Sequence, residues 1–166
     1  MSDYSKTGQT SCLNGQRVSK NSPLIHFVGT ADELNSHLGL VKALLIEKNA
    51  PKDTVRFIEE IQKNLMKLMS YVSDTANDKY AFTEKEPACL EKEIDRLSAT
   101  LAKNPQFVLP GRDVTEAQIH IARTVARRAE RLFTAVSEQR PLDLNAGAYL
   151  NKLSGYLFIL AQIPLN

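Results

Sequence analysis

The chain has 166 residues, 43% hydrophobic and 24% charged, which suits one domain (1–166) with a substantial core. Its 21 basic and 19 acidic residues leave a net charge of +2, so binding to a polyanion would need local clustering, and no nucleic acid is expected as a partner. Cys12 and Cys89 lack CxxC spacing, which argues against a disulfide framework or thiolate zinc site. No apolar run approaches the roughly 20 residues that span a bilayer, and residues 1–6 hold no apolar signal core. A cytoplasmic protein without membrane contact is expected, or one that has lost a targeting segment.

Residues 1–29 carry Gly8, Gly15 and Gly29 among Ser, Thr, Asn and Gln with little helical period. They read as an irregular loop, the place where backbone contact with a small ligand costs least. Thr30-Ala31-Asp32-Glu33 has capping-box spacing, which predicts a first helix from near Ala31 with Leu34, Leu38, Val41 and Leu45 on one face. After a break at Asn49-Ala50-Pro51, Ile58, Ile61, Leu65, Leu68, Met69 and Val72 mark a second long helix that fades toward Asn77-Asp78. Leu90, Ile94, Leu97 and Leu101 mark a third, expected to stop at Asn104-Pro105, since a residue before proline is steered out of the α region. The linker 106–112 is apolar and ends in a Pro-Gly turn. Asp113-x-x-Glu116 then caps a fourth helix with Ala122, Val125, Ala129, Leu132, Phe133 and Val136 as its apolar set, running toward Pro141. Ala146, Leu150, Leu153, Leu157 and Leu160 mark a fifth. With no strand alternation, no repeat and short connections, the fold class is all-α, an up-and-down bundle of about five helices.

The fourth helix carries the informative polar pattern. At about 100° per residue, His120, Arg123, Arg127 and Arg131 fall within about 80° of one another, nearly opposite the apolar set. Two readings suit this stripe: a solvated basic face partly neutralised by Glu116 and Glu130, or an anion or partner site. Arginine favours the second somewhat, because a planar guanidinium holds phosphate oxygens or a carboxylate bidentately. Asp32 and Glu33 suit simple capping; Asp32 also suits an ion pair with an arginine of a neighbouring subunit. Lys6-Thr7-Gly8-Gln9-Thr10 is a polar tail or a small phosphate-contacting loop, not a Walker A loop, with Arg17 and Lys20 close behind. Di-iron bundles need Glu-x-x-His, whereas Glu33…His37 and Glu116…His120 are each one residue too long, and three scattered histidines make no zinc motif.

Three segments together resemble the PduO-type ATP:cob(I)alamin adenosyltransferase family. They are Arg17-Val18-Ser19-Lys20 with Val28-Gly29-Thr30-Ala31-Asp32-Glu33-Leu34-Asn35-Ser36; Phe107-Val108-Leu109-Pro110-Gly111; and Ala122-Arg123-Thr124-Val125-Ala126-Arg127-Arg128-Ala129-Glu130-Arg131 with Tyr149-Leu150-Asn151-Lys152-Leu153-Ser154. The resemblance implies a homotrimer of helical bundles with ATP bound between subunits and the corrinoid beside it. It implies transfer of the 5′-deoxyadenosyl group of ATP to cob(I)alamin, with Mg²⁺ accompanying the nucleotide. By the same resemblance Lys20, Arg127 and Asn151 contact ATP, and the Thr7-Gly8 loop, within an N-terminal nucleotide segment 1–29, closes over its phosphates. Asp32 pairs with Arg127 across the subunit boundary, Arg123, Arg128 and Glu130 shape or support the site, and Phe107 covers the lower face of the corrin. A flavoprotein reductase acting on cob(II)alamin and an adenosylcobalamin-dependent enzyme are the implied partners. The chain departs from the family pattern at Tyr4–Thr10, which is shorter and lacks an aspartate, and at Arg112, Gly155 and Gln162. The shortened loop leaves a second reading open, a homologue that binds corrinoid or nucleotide without efficient transfer.

Overall fold

A computed structural model describes residues 8–101 and 109–164. The segment read as an irregular loop holds a short antiparallel hairpin, β1 (Gln9–Ser11) and β2 (Arg17–Ser19), with Thr10 opposite Val18. Its turn closes through Cys12 N to Gln16 O (2.8 Å) and Gln16 N to Asn14 Oδ1 (3.0 Å), and Gly15 supplies the required positive φ of 81°. Val18 packs on the helical core, the foothold that lets so short a ladder persist.

Helix α1 spans Pro23–Glu47 and so begins about two turns before the expected Ala31. Its cap is Ser22, whose Oγ accepts from Ile25 N at 3.4 Å, and Pro23 occupies the first helical position, where a missing N–H costs nothing. Leu24 and Phe27 extend the apolar face of Ala31, Leu34, Leu38, Val41 and Leu45 backward, so burial carries the helix through Thr30, itself buried within it. The helix ends where expected. Asn49 adopts φ 55°, while Asn49 N donates to Ile46 O (3.0 Å) and Ala50 N to Leu45 O (2.9 Å), the paired bonds of a Schellman closure.

Helix α2 covers Lys52–Ser73, and the predicted apolar positions Ile58, Ile61, Leu65, Leu68 and Val72 are all buried. A single 3₁₀ turn, Asp78–Tyr80, leads to α3 (Lys85–Ser98). The reciprocal box that Thr30 and Glu33 do not form exists here instead: Thr83 N and Oγ1 donate to Glu86 Oε2 at 2.9 and 2.8 Å, and Thr83 Oγ1 accepts from Lys85 N at 3.3 Å. Helix α3 stops at Ser98, before the expected Asn104-Pro105, because tighter bonds close the chain: Thr100 N to Leu97 O (3.0 Å) and Leu101 N to Ser98 O (3.1 Å). The Thr100 hydroxyl claims Leu97 O as well, at 2.7 Å. Asn104 and Pro105 lie outside the described residues.

Helix α4 is Val114–Ser137 and α5 is Leu144–Gln162. Asp113 caps α4 as predicted, accepting from Glu116 N at 2.9 Å, and that bond together with Lys48 Nζ at 3.2 Å holds its carboxyl below the usual value. Helix α1 packs on α2 and α4, α4 packs on α5, and α5 packs on α3. The principal packing order is therefore α2–α1–α4–α5–α3, not chain order. Phe27 meets Phe133 edge-on at 5.5 Å across the α1–α4 seam, both rings buried. No helix among the described residues is long and apolar enough to cross a membrane.

Candidate functional site

Packing on two flanks leaves α4 one open strip, and its cations divide along it. Arg127, Arg128 and Arg131 are exposed and Arg123 is half-buried, on the face predicted to turn away from the core. His120, expected in the same stripe, is 5% exposed. Glu116, one turn earlier, lies against it. Glu116 does not reach back to its own cap; its Oε2 accepts from Gly111 N (2.8 Å) and Arg112 N (3.1 Å), folding 109–112 over the first turns of α4. Gly111 takes φ 119° to make that approach, and Arg112 Nη2 anchors the turn to Ala161 O at the end of α5 (3.1 Å). Under this cover Glu116 is 1% exposed, and its Oε1 lies 3.1 Å from His120 Nε2.

The remaining cations differ in what holds them. Arg128 Nη2 pairs with Glu33 Oε2 of α1, so Glu33 is a partner of the arginine strip and not a capping residue. Arg131 Nη1 donates to Arg127 O at 3.1 Å. Arg123 Nε donates to His120 Nδ1 at 3.3 Å. Arg127 is exposed, and no hydrogen bond or ion pair engages its side chain among the described residues. Asp32, on the facing helix α1, is likewise exposed and joined to no cation among the described residues. On α5, Asn151 Nδ2 donates to Glu130 Oε1 at 2.8 Å, uniting two predicted nucleotide residues across the α4–α5 seam.

The hairpin does the same for the N-terminal pair. Lys20 N donates to Gly8 O at 2.9 Å, so Gly8, with φ 59° and no atom within 4 Å of where a Cβ would stand, is fixed beside Lys20 with its own face open. Thr7 and Phe107 lie outside the described residues. A recess of about 680 Å³ between Ile46, Ala50, Val55 and Arg56 contains none of the α4 cations. A recess of about 240 Å³ reaches Glu130, beside Phe133 and Gly147. Neither recess encloses the arginine strip. Among the described residues no cluster of three His, Cys, Asp or Glu side chains is placed to hold a metal ion.

Sequence reasoning missed the buried Glu116–His120 pair, although its i, i+4 spacing was visible, and the Gly8–Lys20 bond, which needs the hairpin register. It also missed the Glu33–Arg128 pair, which no local pattern reveals.

Comparison with known proteins accords with this geometry. A cobalamin adenosyltransferase family model matches residues 4–163. A cobalamin adenosyltransferase of Cupriavidus metallidurans is 38% identical over 157 residues, covering 94% of this chain and 82% of that one. A corrinoid adenosyltransferase of Bacillus subtilis is 35% identical over 164 residues, covering 96% and 84%. Among solved structures, a variant PduO-type ATP:corrinoid adenosyltransferase from Lactobacillus reuteri, complexed with cobalamin and ATP, superposes with a TM-score of 0.86 at 28% identity, covering 98% of this chain and 91% of that one. The match runs through the hairpin, the arginine strip and the Asn151 helix alike, and the chain belongs to the cobalamin adenosyltransferase family.

Proposed function

We propose that this protein transfers the 5′-deoxyadenosyl group of ATP to cob(I)alamin, forming adenosylcobalamin and releasing triphosphate. The observation that carries the reading, beside family membership, is the exposed and unengaged Arg127 at the centre of the α4 strip, flanked by Arg123 and Arg131. Cobalt(I) donates an electron pair to C5′ of the ribose, the C5′–O bond breaks, and its pair leaves with the triphosphate. No general base or protein nucleophile is needed. The protein's work is to align cobalt with C5′ and to neutralise charge growing on the leaving group.

Lys20, Arg123 and Arg127 suit that second task, with the Thr7-Gly8 loop over the phosphates. The Glu130–Asn151 bond orients the Asn151 amide, leaving its oxygen and second N–H for the nucleoside. Asp32 and Arg127, both unpaired among the described residues, suit a charge pair between subunits of a homotrimer. Phe107 would keep an axial ligand off cobalt, which eases reduction of cob(II)alamin by a flavoprotein partner. Mg²⁺ would arrive on the triphosphate oxygens, since the described residues hold no carboxylate cluster for it. An adenosylcobalamin-dependent enzyme would take the product.

The test is anaerobic incubation with chemically reduced cob(I)alamin, Mg²⁺ and ATP, following absorbance as the cobalt–carbon bond forms. Steady ATP-dependent conversion is expected. Retained binding of ATP and corrinoid without conversion would favour the second reading, a binding homologue, for which the shortened Tyr4–Thr10 segment is the supporting feature.

A further inference from the structure

Glu116, His120 and Arg123 form a line along α4 that connects a backbone turn to the proposed nucleotide site. At one end, Glu116 Oε2 accepts from two backbone groups, Gly111 N at 2.8 Å and Arg112 N at 3.1 Å. In the middle, Glu116 Oε1 lies 3.1 Å from His120 Nε2, an electrostatic contact out of line for a hydrogen bond that leaves both buried atoms with no other partner among the described residues, and 1% and 6% of these side chains are exposed. At the other end, Arg123 Nε donates to His120 Nδ1 at 3.3 Å. A guanidinium has no lone pair to offer, so Nδ1 must be the acceptor and the imidazole proton must sit on Nε2, facing the carboxylate.

We infer that Glu116 and His120 are positioning residues for Arg123: the buried carboxylate selects the Nε2–H tautomer of His120, whose bare Nδ1 then fixes the guanidinium plane of Arg123. The bond uses Arg123 Nε and leaves both terminal nitrogens without a partner among the described residues, one helical turn from Arg127. The same carboxylate holds the 110–112 turn, so the backbone there and the aim of Arg123 depend on one buried group. A solvated basic face would not need this arrangement. Exposed arginines are ordinarily left to rotate, whereas ordering one in advance removes part of the entropy cost of binding an anion. The role rests on the proposal that ATP binds at the α4 strip.

The decisive variant is Glu116→Gln. The N–H groups of Gly111 and Arg112 would claim the amide oxygen, so the amide nitrogen would point its hydrogen at His120 Nε2. That nitrogen must then accept, the ring proton moves to Nδ1, and Nδ1–H opposes Arg123 Nε–H. The chain has three histidines, which makes ring assignment by long-range proton–nitrogen correlation at mildly alkaline pH direct. The expected result is Nε2–H for His120 in the wild type and Nδ1–H in Glu116→Gln. ATP binding should weaken about tenfold, the loss of roughly one charge-assisted bond, with little further loss when Arg123→Ala is added. A proton on Nδ1 in the wild type would overturn the inference, as would unchanged ATP affinity in Glu116→Gln. Failure of the wild type to bind ATP would overturn the proposed function and the role with it, a result separable from the tautomer measurement. Should Glu116→Gln not fold, His120→Ala is expected to lose the same factor and His120→Asn, whose amide oxygen stands near the place of Nδ1, to regain most of it. Equal, wild-type affinity in both would refute the role.

Discussion

The half-buried Glu86–Lys67 pair links pH to stability through a single carboxylate. Burial by itself would raise the Glu86 pKa, but Lys67 Nζ at 2.5 Å and the Thr83 N–H and hydroxyl at 2.9 and 2.8 Å favour the charged form and bring it down from 4.5 to about 2. The folded value lies below the unfolded one, so the stabilisation is complete above about pH 4.5 and is lost as pH falls toward 2. A difference of that size corresponds to about 3 kcal/mol at neutral pH, the Glu86 side chain being 17% exposed. Glu86→Gln removes the titrating group while keeping its shape. Urea unfolding followed by far-UV circular dichroism, at fixed protein concentration, should show the wild type ahead by that margin at pH 7. The margin should shrink steadily below pH 4.5 as the wild-type carboxylate protonates. Other carboxylates titrate alike in both proteins and cancel. A margin that stays constant from pH 7 to pH 3, or is absent at pH 7, would refute the reasoning.

Three further outcomes follow from the same coordinates. Arg127→Ala should abolish ATP binding measured by calorimetry while leaving the thermal midpoint nearly unchanged, since this exposed side chain has no partner among the described residues; unaltered affinity would sink the proposed site. Phe27→Ala, which empties a fully buried position against Phe133, should cost about 3–5 kcal/mol in denaturant unfolding. Ser22→Ala should cost about 1 kcal/mol as loss of a helix cap, whereas Glu33→Ala should cost under about 1 kcal/mol and progressively less with added salt, because its exposed pair with Arg128 is screened. A larger effect at Glu33 than at Ser22 would restore the helix start near Ala31.

Periodicity alone determined most of the helical architecture. The apolar positions that three- and four-residue spacing marks out in α2, α4 and α5 are buried, with Met69 and Leu132 only partly so, because an amphipathic helix must hide the face it repeats. The Asp113 cap, the Asn49-Ala50-Pro51 break and the arginine-bearing motif strings were equally legible, being local patterns. The T-x-x-E signature misled at Thr30 and went unnoticed at Thr83, since the same four residues make a cap or a mid-helix turn according to whether the preceding residues are buried. Leu24 and Phe27 are buried; the residues before Thr83 turn through a 3₁₀ bend. What only the tertiary structure decided is which polar groups meet. His120 lies on the same helical face as Arg127 but is buried beside Glu116, the carboxylate that holds the 111–112 backbone. Gly8 meets Lys20 through a hairpin register, and Glu33 meets Arg128 across two helices far apart in sequence. A helical wheel assigns direction around one axis, whereas exposure depends on what neighbouring chain lies over that direction, and no spacing within a single helix contains that information.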